Sequence, residues 1–172
     1  MLIRAERAND IQAIRALVAA AFRAGSSEQQ DAPEPQEPLM IDGLRQHGAL
    51  TLSLVAEEAG VLLGHIAFSP LQINGRLQHW YGLAPLAVLP TRQKSGIGRA
   101  LVEAGLERLT QLGAHGCVVL GDPAYYSRLG FAMHPGLTLD NVPPEYFMAR
   151  ALGGAPMANG TATYHKAFGL EG

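Results

Sequence analysis

LAVLPTRQKSGIGRALVEAGLERL, Leu86 to Leu109, passes from an apolar run ending at Pro90, through a short basic turn, into an amphipathic segment. A helix that starts directly after a strand leaves its first backbone N–H groups without intrahelical partners, and they point into the turn. Gly96 and Gly98 let a ligand come close to that backbone. The partial positive charge of the helix start favours an anion there. Arg92, Lys94 and Arg99 add mobile positive charge around it. The stretch therefore predicts a phosphate seat, and the competing reading is that the glycines only permit close packing of helix on sheet.

The rest of the chain limits what such a seat can serve. At 172 residues, with 48% hydrophobic and 16% charged residues, the sequence fits one globular domain over residues 1–172 with a substantial core. A net charge of −2 argues against electrostatic nucleic-acid binding. Cys117 is the only cysteine, so no internal disulfide is expected and a reducing compartment fits. No apolar run reaches the ~20 residues of a membrane span, and MLIRAERAND has charges where a signal peptide is apolar. The expectation is a cytoplasmic protein.

Hydrophobic period supplies the elements around the turn. LIRA reads as an edge strand, and Asn9 and Asp10 as caps for a helix with Ile11, Ile14, Val18, Ala21 and Phe22 on its buried stripe. Gly25 to Pro38, with three prolines and four acids, reads as a loop, and LMIDGLRQHG as a brief helix. From Leu50 the period becomes that of strands. Asn74-Gly75 marks a hairpin, and Gly82 and Pro85 a distortion in the strand that leads to the turn. The next helix runs to Gly113, with Ile97, Leu101, Ala104, Gly105, Leu109 and Leu112 on one face. HGCVVL reads as a central strand, PAYYSRLGF as a short helix and turn, PPEYFMARAL as a helix and TATYHKAF as a last strand. The sum is an α/β (α+β) fold, a mixed, mostly antiparallel central sheet with helices on both faces.

Three phosphate motifs compete for the turn. The P-loop spacing fails around Lys94 for want of an upstream glycine, and the dinucleotide fingerprint meets Leu101 where it needs Gly or Ala. Asp122 suits a dinucleotide reading, but the motif strand lies too late in the chain for that fold. Gln93-Lys94-Ser95-Gly96-Ile97-Gly98 satisfies the third pattern, Gln/Arg-x-x-Gly-x-Gly/Ala. This resembles the pyrophosphate loop of the GNAT superfamily of acyl-CoA-dependent N-acyltransferases. Residues 86–114 resemble its strand–turn–helix core, YYSRLGF (Tyr125 to Phe131) its Tyr-x-x-Leu-Gly-Phe signature, and residues 2–22 its usual opening. GCVVLGDPAYYSRLGF further resembles a bacterial subgroup of small-molecule N-acetyltransferases with a Gly-Asp-Pro turn before the tyrosines. Lys94 and Ser95 depart from the pattern, standing where members often carry a glycine and a basic residue.

The resemblance implies an N-acetyltransferase that moves an acetyl group from acetyl-CoA to a primary amine of a small molecule or protein, by direct attack in a ternary complex. It implies that Leu86, Ala87 and Val88 track the pantetheine arm and that Gln93, Lys94, Ser95, Gly96, Ile97, Gly98 and Arg99 seat the pyrophosphate. Tyr126 is then the acid that protonates the departing thiolate, a role open to a phenol; the alternative is a tyrosine packed in the core with its hydroxyl capped. Tyr125 reads as packing or cofactor contact. His65, His79, Glu57 and Glu58 are candidate bases, each with a structural alternative, and the superfamily can also deprotonate its amine through water. Cys117 reads as a small buried hydrophobe. No metal is expected, since His115 and His134 lack partners at ligand spacing. The acidic stretch Glu28 to Glu37 can attract a cationic amine or simply be solvated. A homodimer is compatible by family analogy. The rival function is a non-catalytic acyl-CoA-binding regulatory module.

Overall fold

The computed structural model describes residues 1–25 and 34–169. Its elements are β1 (Leu2–Ala5), α1 (Ile11–Gly25), α2 (Glu37–Gln46), β2 (Leu52–Glu58), β3 (Val61–Ile73), β4 (Arg76–Val88), α3 (Ile97–Gln111), β5 (Gly116–Leu120), α4 (Pro123–Ser127), β6 (Leu137–Leu139), β7 (Phe147–Ala151) and β8 (Gly160–Thr163). The strands form one sheet ordered β1-β2-β3-β4-β5-β7, with β8 pairing both β3 and β6. All neighbours along that path are antiparallel except β4 and β5, which run parallel.

The long β3–β4 hairpin forms because Asn74 and Gly75 adopt φ values of 53° and 77°, the left-handed pair that a twist-matched two-residue turn requires. The hairpin's register then slips. Ile66 pairs with Leu86 and Phe68 with Leu83, so Ala84 and Pro85 stand opposite Ala67 alone. The parallel pairing of β4 with β5 is confined to Trp80–Gly116, Tyr81–Cys117 and Gly82–Val118. Beyond Gly82 the two strands separate, which is the distortion that Gly82 and Pro85 announce in the sequence.

Helix α3 covers one face of the sheet, burying Ile97, Leu101, Val102, Leu106 and Leu109. Two glycines let it approach. A Cβ on Gly64 of β3 would lie 2.8 Å from the Leu101 side chain, and one on Gly105 would lie 2.3 Å from the Phe68 ring. Leu112, expected on this stripe, is 62% exposed instead, because α3 ends at Gln111. Helix α1 lays Ile14 and Val18 on the other face, against Val55, Ala87 and Ile41 of α2. Helices therefore flank the sheet on both sides. At its start, the Asp10 carboxylate accepts from the Arg7 backbone N–H at 2.7 Å and from Arg4, rather than from amides of α1 as a cap would. The Arg4 guanidinium lowers the Asp10 pKa.

The region after α4 differs most from expectation. PPEYFMARAL does not form a helix: Pro144–Tyr146 make one tight turn and Phe147–Ala151 become β7. Met, Ala, Arg and Leu favour a helix locally, but pairing with β5 from Gly116–Ala151 to Leu120–Phe147 fills backbone groups that β5 would otherwise leave open. β6 has no precedent in the sequence reading. The last strand stops at Thr163, and the chain turns at Lys166–Phe168. Helix α2 begins at Glu37, so Glu37 and Pro38 belong to its first turn and not to the preceding loop. Most of the acidic stretch lies outside the described residues.

Gly105→Ala replaces a poor helix former by the best one, a gain of roughly 1 kcal/mol in an open helix. Here the added methyl meets the fully buried Phe68 ring, so overpacking of roughly 1–3 kcal/mol outweighs that gain. Thermal denaturation is expected to show a lower Tm for Gly105→Ala and its partial recovery in Gly105→Ala/Phe68→Leu.

Candidate active site

Where β4 parts from β5, a cavity of about 330 Å³ opens. Leu83 to Leu86 form one wall and Val119 to Gly121 the other. Leu86, Ala87 and Val88 pair through one backbone edge with Ile66, His65 and Gly64 of β3. Their other edge has no strand partner among the described residues, which leaves backbone donors and acceptors free toward the gap. The Leu89 N–H donates to the Leu63 carbonyl at 2.9 Å, so in this antiparallel register Ala87 turns its N–H and C=O to His65, with its side chain buried on the α1 face, and Leu86 and Val88 turn their backbone groups toward the gap.

The predicted phosphate turn lies at one end of this split strand. Pro90–Arg92 form a single tight turn, Lys94 and Gly96 take φ of 63° and 89°, and α3 starts at Ile97 with no side chain capping it. The loop braces itself: Gln93 Nε2 donates to the Val88 carbonyl at 3.2 Å and Ser95 Oγ to the Arg92 carbonyl. Ile97 buries its side chain beside Gly64 and offers only its amide. Nothing stands within 4 Å of a Cβ position on Gly96, and one on Gly98 would meet the Tyr125 hydroxyl at 2.7 Å. The closeness of α3 to the sheet is thus the work of Gly64 and Gly105; Gly96 leaves open space beside the uncapped helix start, and Gly98 gives room to the Tyr125 hydroxyl. A second hollow of about 260 Å³ lies here. Its cations are Arg92, paired with Glu58 at 2.9 Å, Arg99, paired with Glu103 at 2.9 Å, and Lys94, which has no ion pair among the described residues.

Tyr126 is held by the segment that follows β5. The Asp122 carboxylate caps α4 by accepting from the Ala124 N–H at 3.0 Å, and Pro123 opens the helix. Gly130, at φ 87°, reverses the chain so that the Phe131 N–H reaches back to the Tyr126 carbonyl at 3.2 Å. Leu129 and Phe131 anchor the turn in the core. The Tyr126 ring packs edge-on to Phe131 and Tyr125, with centroids 5.8 and 4.9 Å away, and lies where a Cβ on Gly121 would fall. Its hydroxyl has no hydrogen bond among the described residues, and the residue lines the 330 Å³ cavity. Burial pushes its pKa well above the ordinary phenol value.

The candidate bases are not brought to this cavity. His65 is fully buried, bonds Ser53 Oγ through Nε2 at 2.8 Å, and is pushed down to about 3 by desolvation and by Arg45. Glu57 binds Arg4 at 2.6 Å, Glu58 has its pKa lowered by Arg92 at the loop, and His79 lies beside His115 at the other end of β4. Cys117 is buried and its thiol pKa pushed up. Among the described residues, no group of three or more His, Cys, Asp or Glu could hold a metal ion, and no helix is long and apolar enough to cross a membrane. The cavity also takes in Phe22, read in the sequence as part of the α1 stripe, and Glu37, the end of the acidic stretch, together with Met40, Tyr164 and Phe168, which sequence reasoning did not single out. Tyr164 and Phe168 lie in a stretch with no recognisable motif, and only the pairing of β8 with β3 brings them here.

A sheet split between its two parallel strands, with an uncapped glycine turn at one end of the split, defines a mixed α/β protein with an open strand edge beside an anion-compatible helix start. The chain belongs to the Acetyltransferase (GNAT) family, whose sequence model matches residues 11–131. It is 41% identical over 134 residues to YhbS of Escherichia coli K12, named an uncharacterized N-acetyltransferase, covering 77% of this chain and 74% of that protein. A GNAT family acetyltransferase from Brucella melitensis, solved in complex with acetyl-CoA, superposes with a TM-score of 0.82 at 46% identity over 97% of both chains. The structure of E. coli YhbS in complex with CoA superposes with a TM-score of 0.83 at 35% identity, over 99% of this chain and 93% of that one.

The phenols give a direct check on the site. A free phenol loses its proton near pH 10. Burial raises the pKa of Tyr126 and Tyr164, so both stay protonated there, and the fold loses their contribution as pH rises past that value, because the unfolded chain then ionises first. Phenolate absorbance at pH 11 is therefore expected to count fewer than the five tyrosines. Tyr126→Phe and Tyr164→Phe should leave that count unchanged.

Proposed function

We propose that this acetyltransferase is an N-acetyltransferase that carries an acetyl group from acetyl-CoA to a primary amine by direct attack within a ternary complex. The observation that carries the reading is the split between β4 and β5, an open backbone edge running from the uncapped α3 start to the Tyr126 phenol. Family membership and the acetyl-CoA and CoA complexes of the two similar structures support the choice of donor.

In this reading the amides from Lys94 to Arg99 receive the pyrophosphate, with Gly96 and Gly98 keeping side chains out of its way. Lys94 and Arg99 face the phosphates, and the Gln93 and Ser95 side chains hold the loop in shape. Leu86 and Val88 offer the free edge of β4 to the amides of the pantetheine arm, as an added strand would, while Ala87 between them holds the strand to β3. Tyr125 packs across Gly98, between the two hollows. A β4 amide donates to the thioester oxygen as negative charge develops on it.

The amine nitrogen attacks the thioester carbon, the C–N bond forms and the C–S bond breaks. Tyr126 gives its phenolic proton to the departing thiolate and recovers one as the new amide nitrogen loses its surplus proton, through water, so the balance is acetyl-CoA plus amine to N-acetylamine plus CoA. A raised phenol pKa suits this role, because the group is fully protonated at neutral pH when the thiolate needs it.

Acetyl-CoA is expected to raise the Tm of the protein, and thiol release is expected to depend on an added amine. Tyr126→Phe is expected to lower kcat by about 10²-fold or more with the acetyl-CoA-induced rise in Tm retained. Unchanged turnover would remove the acid assignment. Acetyl-CoA binding without amine-dependent thiol release from any amine would instead favour an acyl-CoA-binding regulatory module.

A further inference from the structure

The cavity between β4 and β5 carries a selective set of groups. Among the described residues, Glu37 is its only ionisable side chain apart from the two tyrosines, and no Lys, Arg or His lines it. Glu37 makes no ion pair among the described residues, and it stands in the first turn of α2, where the helix start favours a carboxylate. Phe22, Met40, Leu83 and Phe168 make the remaining side-chain surface apolar.

Tyr164 is the second peculiarity. It is 6% exposed, its ring lies where a Cβ on Gly82 would fall at 2.7 Å, and Gly82 is the last residue of β4 paired with β5. Its hydroxyl is buried with no hydrogen-bond partner among the described residues, yet the residue lines the cavity. A buried hydroxyl left unpaired is destabilising, and a phenylalanine would fill the same space without that penalty. A ligand that bonds the hydroxyl accounts for its presence.

Resting on the acetyl-CoA reading above, we propose that this cavity is the acceptor pocket for a small primary monoamine on an uncharged, largely apolar body, an arylalkylamine or alkylamine. Glu37 draws in the ammonium form, and the Tyr164 hydroxyl oxygen accepts a hydrogen bond from the amine once it is seated. The aromatic faces of Phe22 and Phe168 cover the apolar body and tolerate the cation at entry. An α-amino acid is rejected because its carboxylate meets Glu37 and no cation. Polyamines and aminoglycosides are disfavoured because, among the described residues, their further ammonium groups find one carboxylate among apolar walls. Size points the same way: about 330 Å³ holds roughly eleven water-sized volumes, shared with the acetyl group.

The test uses the full chain with saturating acetyl-CoA and measures thiol release with 2-phenylethylamine, hexylamine, L-lysine, spermidine, kanamycin and a lysine-containing peptide. Expected is a kcat/KM for 2-phenylethylamine or hexylamine at least tenfold above the other four. Glu37→Gln and Tyr164→Phe should each raise the KM for the preferred amine by about tenfold, with the KM for acetyl-CoA and the acetyl-CoA-induced rise in Tm retained. The unliganded Tm of Tyr164→Phe should equal or exceed that of the parent, which a merely structural tyrosine would not give. Preference for lysine, spermidine, kanamycin or the peptide overturns the proposal, as does an amine KM that neither variant changes. Acetyl-CoA binding with no turnover of either monoamine overturns the acceptor class and leaves the donor reading in place. Absence of any acetyl-CoA-induced rise in Tm overturns both.

Discussion

Everything at the candidate site depends on β4 being asked to satisfy two neighbours and satisfying only one along its whole length. It pairs with β3 from Arg76 to Val88, but with β5 only from Trp80 to Gly82. A sheet interior does not leave backbone N–H and C=O groups without partners unless water or a ligand supplies them. The two-for-one slip at Ala84 and Pro85 moves β4 out of reach of β5 while β3 holds its other edge. The gap is thus a consequence of strand register, held open on both sides by paired sheet.

The packing of α3 on the sheet is set by residues outside the glycine turn. Gly64 and Gly105 set the distance between α3 and the sheet, through Leu101 and Phe68. With the helix axis fixed from below, the start of α3 can remain uncapped and the loop above it can carry positive φ at Lys94 and Gly96. Two of the three nearby cations already have acidic partners, Glu58 and Glu103. Backbone amides, rather than a free cluster of charge, therefore dominate the electrostatics of the turn.

What could be read in the sequence was what neighbouring residues decide together. The Asn74-Gly75 turn, the Gly96–Gly98 loop, the stripe of α3 and the Tyr126 to Phe131 turn each lie within a few residues, and each has the shape its side chains require. β7 was hidden because Met148, Arg150 and Ala151 favour a helix, and only the open edge of β5, some thirty residues earlier, overrides them. The cavity wall was hidden for the same reason on a larger scale. Phe22, Glu37, Tyr164 and Phe168 are distant in the chain and share no spacing, so nothing local marks them as neighbours. His65 is a titratable side chain on a promising strand for which the fold realises the structural alternative, burying it with its Nε2 bonded to Ser53 Oγ.

The hairpin turn at Asn74-Gly75 reaches further than its position implies. Asn74 Oδ1 accepts from the Thr161 N–H at 3.0 Å, the Asn74 N–H donates to the Thr161 carbonyl at 2.9 Å, and Gly160 gives Asn74 room to do so. This clasp ties β8 to the tip of the hairpin, and β8 leads directly into Tyr164 and Phe168. The family pattern extends only to Phe131, so the clasped segment lies outside it. Tyr164 and Phe168 share a buried cluster with Leu71, Ile73, Trp80 and Val118 of the central strands, so one wall of the cavity is set by a turn about ninety residues earlier in the chain.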